Sequence, residues 1–436
     1  MIRRTILEWE KIDYGPDPEN VRTIPQQAAD RLAAVAAASP LAGRGGSGVL
    51  EHGRKGLRAR GVVGVIASAD AALEILPKID VPCKDSQERD GRIRARLVHM
   101  LAVALDIRID AGQVTALDWQ RETLLEILIR IFSGKLADAV REGMPRRYAG
   151  HEDDLAVLRG RLDVRRQFTK HAAHPARLAC RYDALTPDIS MNRILKAAII
   201  RLAGISRSSA NQRRLRELAF VFADIATVPV AALRWDDVVL DRTNLRWREL
   251  LNMARLLLGE RFQSTSSGSS SGFSLLFEMH ALFEEYIARM VRRALAGTSL
   301  HVVSQGGRIY CLESEHGKLF QTRPDILVKD GPTVVQVIDT KWKRIASRVD
   351  DSRQGVSQAD IYQMMAYGRL YGCDRLTLLY PHHAGLPGAD GMQSSHGITN
   401  SDHRLEVVTF NVADADRVVE RLRTLASGGA VTVTST

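Results

Sequence analysis

The 436-residue chain predicts a multidomain α/β protein. Residues 1–85 read as a small α/β module, 86–262 as a mainly helical middle domain, and 273–436 as an α/β domain built on a mixed central sheet. Three observations lead there. Short β-branched runs alternate with helical stretches over the last third of the sequence. From Ser86 onward, apolar residues recur at helical spacing. Between these regions, residues 263–272 read QSTSSGSSSG, a tract that cannot bury a core and marks a linker or loop.

Composition narrows the function. A hydrophobic content of 45% with 26% charged residues suits a water-soluble globular protein. No apolar run reaches the ~18 residues a membrane span needs. The opening MIRRTILEWE lacks the apolar core of a secretory signal. Four scattered cysteines with no C-x-x-C argue against zinc and disulfides and fit a reducing cytoplasm. The net charge of +10 permits nucleic acid without requiring it. Both Gly-Lys pairs, at Lys135 and Lys318, are followed by leucine, so no phosphate-binding loop is present. Any nucleotide hydrolysis linked to this chain therefore belongs to another one.

The elements follow in order. Thr5–Ile12 alternates like a strand, Gln26–Ala38 reads as a helix, and Gly61–Ala67 and Ala72–Leu76 as strands. Ile93, Leu97, Met100, Leu101, Ala104 and Leu105 form one helical stripe. Leu124–Ala139 is a second helix, stopped by Gly143-Met144-Pro145. Asn192–Ala203, Gln212–Ala223 and Leu245–Leu258 continue the helical pattern. Between them, 141–170 holds eight cationic and five acidic residues, the composition of a salt-bridged surface. Phe273–Ala294 reads as one amphipathic helix. Strands around Ile309 and Phe320, then Ile326–Val328, Val334–Ile338, Leu376–Tyr380 and Leu405–Phe410, alternate with helices at Ala359–Leu370 and Asp414–Leu425.

One local pattern carries chemistry. Pro324-Asp325 heads a β-branched run, Asp330-Gly331-Pro332 supplies a turn, and the next run leads into Asp339-Thr340-Lys341. Residues two apart on a strand share a face, so Asp339 and Lys341 point the same way and Asp325 can reach them. Two carboxylates and an ammonium at a sheet edge suit a hard divalent cation and a phosphate. An isolated D-x-K is usually a solvated surface pair. Here lysine is scarce, 11 against 50 arginines, and this is the one lysine with an acid two residues before it. Gln363 and Tyr367 follow four apart on a helix, hence on one face. Trp342 alternates away from Lys341 and reads as core, while His382-His383 lack a third partner at ligand spacing.

The arrangement resembles the PD-(D/E)xK restriction-endonuclease-like fold, and the Q-x-x-x-Y pair resembles that of RecB-like nucleases. A wider resemblance is to McrC, the nuclease subunit of McrBC-type modification-dependent restriction systems. It rests on LFEEYI (282–287), TRPDILV (322–328), VIDTKWK (337–343), ADIYQMMAY (359–367) and LLYP (378–381). LEILPKI (73–79), LRGRLDV (158–164) and RYDALTPDISMNRILK (181–196) extend it over most of the chain. The Ser/Gly tract and the Met279-His280 pair depart from the family pattern.

What the resemblance implies is an Mg²⁺-dependent endodeoxyribonuclease. Asp325, Asp339 and Glu284 would ligate the metal, with Glu285 the rival of Glu284. Lys341 would orient or deprotonate the attacking water. Gln363, Tyr367 and Lys343 would support the site or touch the DNA backbone. The partner would be an McrB-like AAA+ GTPase hexamer that reads 5-methylcytosine in double-stranded DNA and uses GTP, with the N-terminal module docking to it and stimulating hydrolysis. Two other readings share these residues: a non-catalytic activator of such a motor, and a stand-alone RecB-like repair nuclease.

Overall fold

The structure, a computed structural model, describes residues 1–43, 46–81, 83, 85–108, 122–172, 176–259, 272–315, 317–345, 356–386, 388–412 and 415–426. Most of the Ser/Gly tract, 263–271, lies outside the described residues. The chain forms two compact units, Leu125–Leu258 and a second that joins Met1–Leu124 to Gly259–Thr436.

The second unit opens with β1 (Ile2–Leu7), β2 (Lys11–Tyr14), β3 (Thr23–Ile24), α1 (Gln26–Ala37), β4 (Leu50–His52), β5 (Gly56–Ala59), β6 (Val62–Ser68) and β7 (Ala71–Leu76). The strand expected over Thr5–Ile12 is two strands, broken where Trp9 takes a positive φ of 64°. One small sheet has the order β3-β2-β5-β4. Alanine-rich α1 turns Ala28, Ala29, Leu32, Val35 and Ala36 into the core that this sheet shares with β6 and β7. α2 (Ser86–Ala104) starts at Asp85, whose carboxylate accepts from the Glu88 amide. Its Arg94 makes a two-point ion pair with Glu74 of β7, at 2.9 and 2.6 Å, and both side chains are buried.

The Leu125–Leu258 unit contains most of α3 (Leu124–Arg141), then β8 (Arg147–Leu155), β9 (Arg161–Leu162), α4 (Val164–Lys170), β10 (Leu178–Thr186), α5 (Ser190–Ile205), α6 (Ser209–Val221) and α7 (Arg248–Leu258). Helix α5 packs against α6 and α7. The helices stand where periodicity put them, but the region is less helical than expected. β8, β10 and β9 form an antiparallel sheet of three strands. Its surface is salt-bridged, as the mixed charge of 141–170 suggested. Asp154 meets Arg166 at 2.9 Å and Lys170 at 2.8 Å, and Arg181 bridges Glu152 and Asp163.

Past the Ser/Gly tract the sequence reading needs a correction. Phe273–Ala294 is not one helix: β11 (Gly272–Glu278) precedes α8 (Met279–Ala294). β11 is buried along nearly its whole length and pairs antiparallel with β6, completing a sheet of order β1-β7-β6-β11. The boundaries expected at 85/86 and 272/273 thus fall inside one compact unit.

α8 packs against α2 and against α10 (Ala415–Ala426). Between α8 and α10 run β12 (Leu300–Ser304), the exposed ribbon β13 (Tyr310–Ser314) and β14 (Gly317–Gln321), β15 (Ile326–Asp330), β16 (Thr333–Thr340), α9 (Gln358–Tyr371), β17 (Arg375–Pro381), β18 (Gly391–Gly397) and β19 (Arg404–Phe410). Six of them build a mixed sheet of order β12-β15-β16-β17-β19-β18. β15 and β16 form a hairpin whose two-residue loop places Gly331 at φ 55°, a conformation that a side chain would strain. β16 and β17 are parallel, so α9 must cross between them. Ser357 caps the start of α9, and Gly372, left-handed at φ 57°, ends it.

Candidate functional site

The hairpin register builds the site. Ile326 pairs with Ile338, so Asp325, one residue before β15, lies beside Asp339 near the end of β16. Directly opposed residues face the same side of a sheet. Thr340 secures the pair: its amide and hydroxyl both donate to Asp325 Oδ2, at 2.7 and 2.8 Å. Lys341 begins just past the strand, its amide donating to the Leu379 carbonyl of β17. Its Nζ comes to 2.6 Å from Asp339 Oδ2.

Helix α9 sets the lysine. Lys341 Nζ donates to Gln363 Oε1 at 3.1 Å, and Gln363 Nε2 donates to Tyr367 Oη at 2.8 Å, one helical turn on. Tyr367 is buried in the core beside Met364. The Q-x-x-x-Y pair therefore connects the core to the ammonium. Lys343 is drawn elsewhere, to an ion pair with Asp360 at the start of α9 and a 3.4 Å contact with Ser357 Oγ. Asp360 also accepts from Tyr380 Oη. Trp342 is half-buried, its ring against Phe283 and its Nε1 donating to Glu8 Oε1 of the N-terminal segment at 2.7 Å. His382 and His383 are taken up by Thr409 Oγ1 and the Ile345 carbonyl.

The two neighbouring glutamates of α8 separate cleanly. Glu285 pairs with Arg289 on its own helix at 2.7 Å. Glu284 faces the sheet: it accepts from Gln305 Nε2 at 2.8 Å and lies close enough to Asp325 to feel its charge. His280, one turn earlier on α8, also acts on Asp325; the sequence marked it only as part of the departing Met279-His280 pair and gave it no place in the site.

Burial and mutual repulsion dominate the electrostatics. Burial, then Asp325, pushes Glu284 up to about 7. Burial, then Asp325, pushes Asp339 up to about 6 despite Lys341. Burial also raises Asp325, against the Thr340 donors. For Lys341, burial works to lower the value, yet Asp339, Asp325 and Asp360 together hold it above the ordinary lysine range. In this pairing the ammonium is a firm cation, suited to orienting water and offsetting negative charge.

A divalent cation would relieve this frustration. The donors are all oxygen, and three carboxylates resist ionising together. Among the described residues, however, no three His, Cys, Asp or Glu side chains converge into a ready ligand set. Asp325 and Asp339 thus fit a site of two protein carboxylates, the kind Mg²⁺ fills while keeping its waters, with Glu284 at the margin. No helix among the described residues is long and apolar enough to cross a membrane.

Known proteins supply context for this geometry. A sequence model of the family described as McrBC 5-methylcytosine restriction system component matches residues 57–381. No curated protein matches the sequence. A chain in the refined half-complex from a tetradecameric assembly of Thermococcus gammatolerans McrB AAA+ hexamers with bound McrC is similar in fold. Its TM-score is 0.71 at 20% identity, covering 98% of this chain and 99% of that one. A chain from the cryo-EM structure of the Thermococcus gammatolerans McrBC complex aligns with a TM-score of 0.54 at 22% identity, over 67% of this chain and 88% of that one.

Proposed function

This chain belongs to the McrBC 5-methylcytosine restriction system component family, and from that membership we propose that it is the DNA-cutting subunit, an Mg²⁺-dependent endodeoxyribonuclease of PD-(D/E)xK type. The observation that carries the proposal is the meeting of Asp325, Asp339 and Lys341 at one end of the mixed sheet, with Gln363 behind the lysine. Asp325 and Asp339 would hold the metal, with Glu284 beside them. Mg²⁺ there would supply Lewis acidity toward a phosphoryl oxygen and a water of lowered pKa. Lys341 would orient or deprotonate the attacking water and offset charge gathering on the phosphate oxygens. Gln363 keeps that ammonium aimed, and Tyr367 keeps Gln363 from rotating away.

The likeness to a chain from an assembly of McrB AAA+ hexamers with bound McrC supports an McrB-like GTPase as the partner. The absence of a phosphate-binding loop from the sequence agrees with that division of labour. Recognition of modified cytosine and hydrolysis of GTP would fall to the partner. The N-terminal module would dock to it and stimulate hydrolysis.

The test is restriction in cells that carry this gene with its NTPase partner, challenged with methylated and unmethylated plasmid. Wild type should exclude only the methylated plasmid, and Asp339→Ala should exclude neither. Equal restriction by the variant would remove Asp339 from catalysis and leave the chain as a motor activator.

A further inference from the structure

The fold places a residue outside every sequence motif at the margin of the site. Gln305 follows β12, and its amide donates to the carbonyl of Asp325 at 2.8 Å, so its backbone is locked to the very residue whose side chain enters the site. It is left-handed, with φ 49°, a conformation that a non-glycine residue adopts only against steric strain. That conformation is matched by use of both ends of its side chain. Nε2 donates to Glu284 Oε1 at 2.8 Å, and Oε1 accepts from Arg323 Nη2. Arg323 in turn stands two residues before Asp325. The hydrogen bonds thus run from the Asp325 backbone through Gln305 to Glu284, with Arg323 fixing the amide's orientation.

Glu284 needs such a hold. It is a half-buried helix glutamate facing a second carboxylate, and an unrestrained side chain would turn toward water, where repulsion from Asp325 is weakest. We propose that Gln305 is a positioning residue that, braced by Arg323, holds the Glu284 carboxylate toward Asp325 and so strengthens divalent-cation binding at the site. This rests on the nuclease reading above. It goes beyond it by giving Glu284 a role that depends on a residue outside the motif.

The experiment uses the full chain for Mn²⁺ binding, read as free Mn²⁺ by electron paramagnetic resonance without DNA. The chain assembled with its partner is used for the Mg²⁺ concentration giving half-maximal cleavage. Gln305→Ala should weaken Mn²⁺ binding about tenfold and raise the Mg²⁺ requirement to match. Gln305→Gly, which also removes the amide but accepts the left-handed backbone, should bind Mn²⁺ as weakly as Gln305→Ala while melting at or above the wild-type temperature. That separates positioning from stability. Added to Glu284→Ala, Gln305→Ala should cause no further loss, because the two act as one. Wild-type Mn²⁺ binding by Gln305→Gly, or losses that multiply in the double variant, would overturn the proposal. Asp339→Ala serves as the separate control: cleavage by that variant would sink the nuclease reading itself, whatever Gln305 does.

Discussion

Replacing Asp339 by asparagine should make the metal-free protein more tolerant of high pH. In the fold Asp339 is held at about 6 against an ordinary 3.8, and it is 1% exposed. A tenfold change in proton affinity is worth about 1.4 kcal/mol, so ionising this carboxylate costs the folded state about 3 kcal/mol more than the unfolded chain. Because the folded value is the higher one, the stability it confers is complete below the unfolded value. It is lost as pH rises through about 6. Somewhat under half of the loss falls between pH 5 and pH 8. Thermal melts in EDTA should show wild type losing about 3 °C more than Asp339→Asn over that range, at about 2 °C per kcal/mol for a domain of this size. Mg²⁺ added at pH 8 should return the loss to wild type alone, since it binds only the folded site. Parallel pH curves for the two proteins in EDTA would show that Asp339 is not under strain, and the electrostatic case for a cation site would fail with it.

Other outcomes follow from single contacts. Lys341→Arg should cut DNA cleavage at least a hundredfold without weakening stimulation of the partner, because a planar guanidinium cannot take the ammonium's place between Asp339 and Gln363; near-normal plasmid nicking would contradict this. Glu74→Ala should cost about 3–5 kcal/mol in urea unfolding, since Arg94 would be left buried without its carboxylate. Replacing both members by apolar residues of similar volume should recover much of that loss.

How much of this was legible depended on how local each signal was. The hairpin carrying Asp325 and Asp339 is a contiguous stretch with a turn between two β-branched runs, so its register was readable without the rest of the chain. The α9 pair was likewise fixed by four-residue spacing. β11 failed for the opposite reason. Buried on both faces, GFSLLFE has no alternation, and its continuous apolar run merged with the helix after it. Its partner β6 lies in a remote part of the sequence. β8, with RYAGHEDDL, is so charged that composition spoke for a surface rather than a strand. Gln305 gave no signal at all, because its role depends on a backbone conformation and on two side chains that only the fold brings to it.

The pairing of β6 with β11 also sets a schedule for biogenesis. On the ribosome, β6 is made early and pairs with β7, but its other edge stays open until β11 emerges roughly 200 residues later, a wait of about 10–40 s at ordinary elongation rates. During that interval the nascent chain displays an apolar strand edge, the feature that recruits chaperones or wrong partners. The intervening residues 125–258 form a compact unit of their own and can fold while the edge waits. A fragment beginning at Gly272 would strand β11 without β6. Attempts to produce that C-terminal part by itself should therefore meet aggregation.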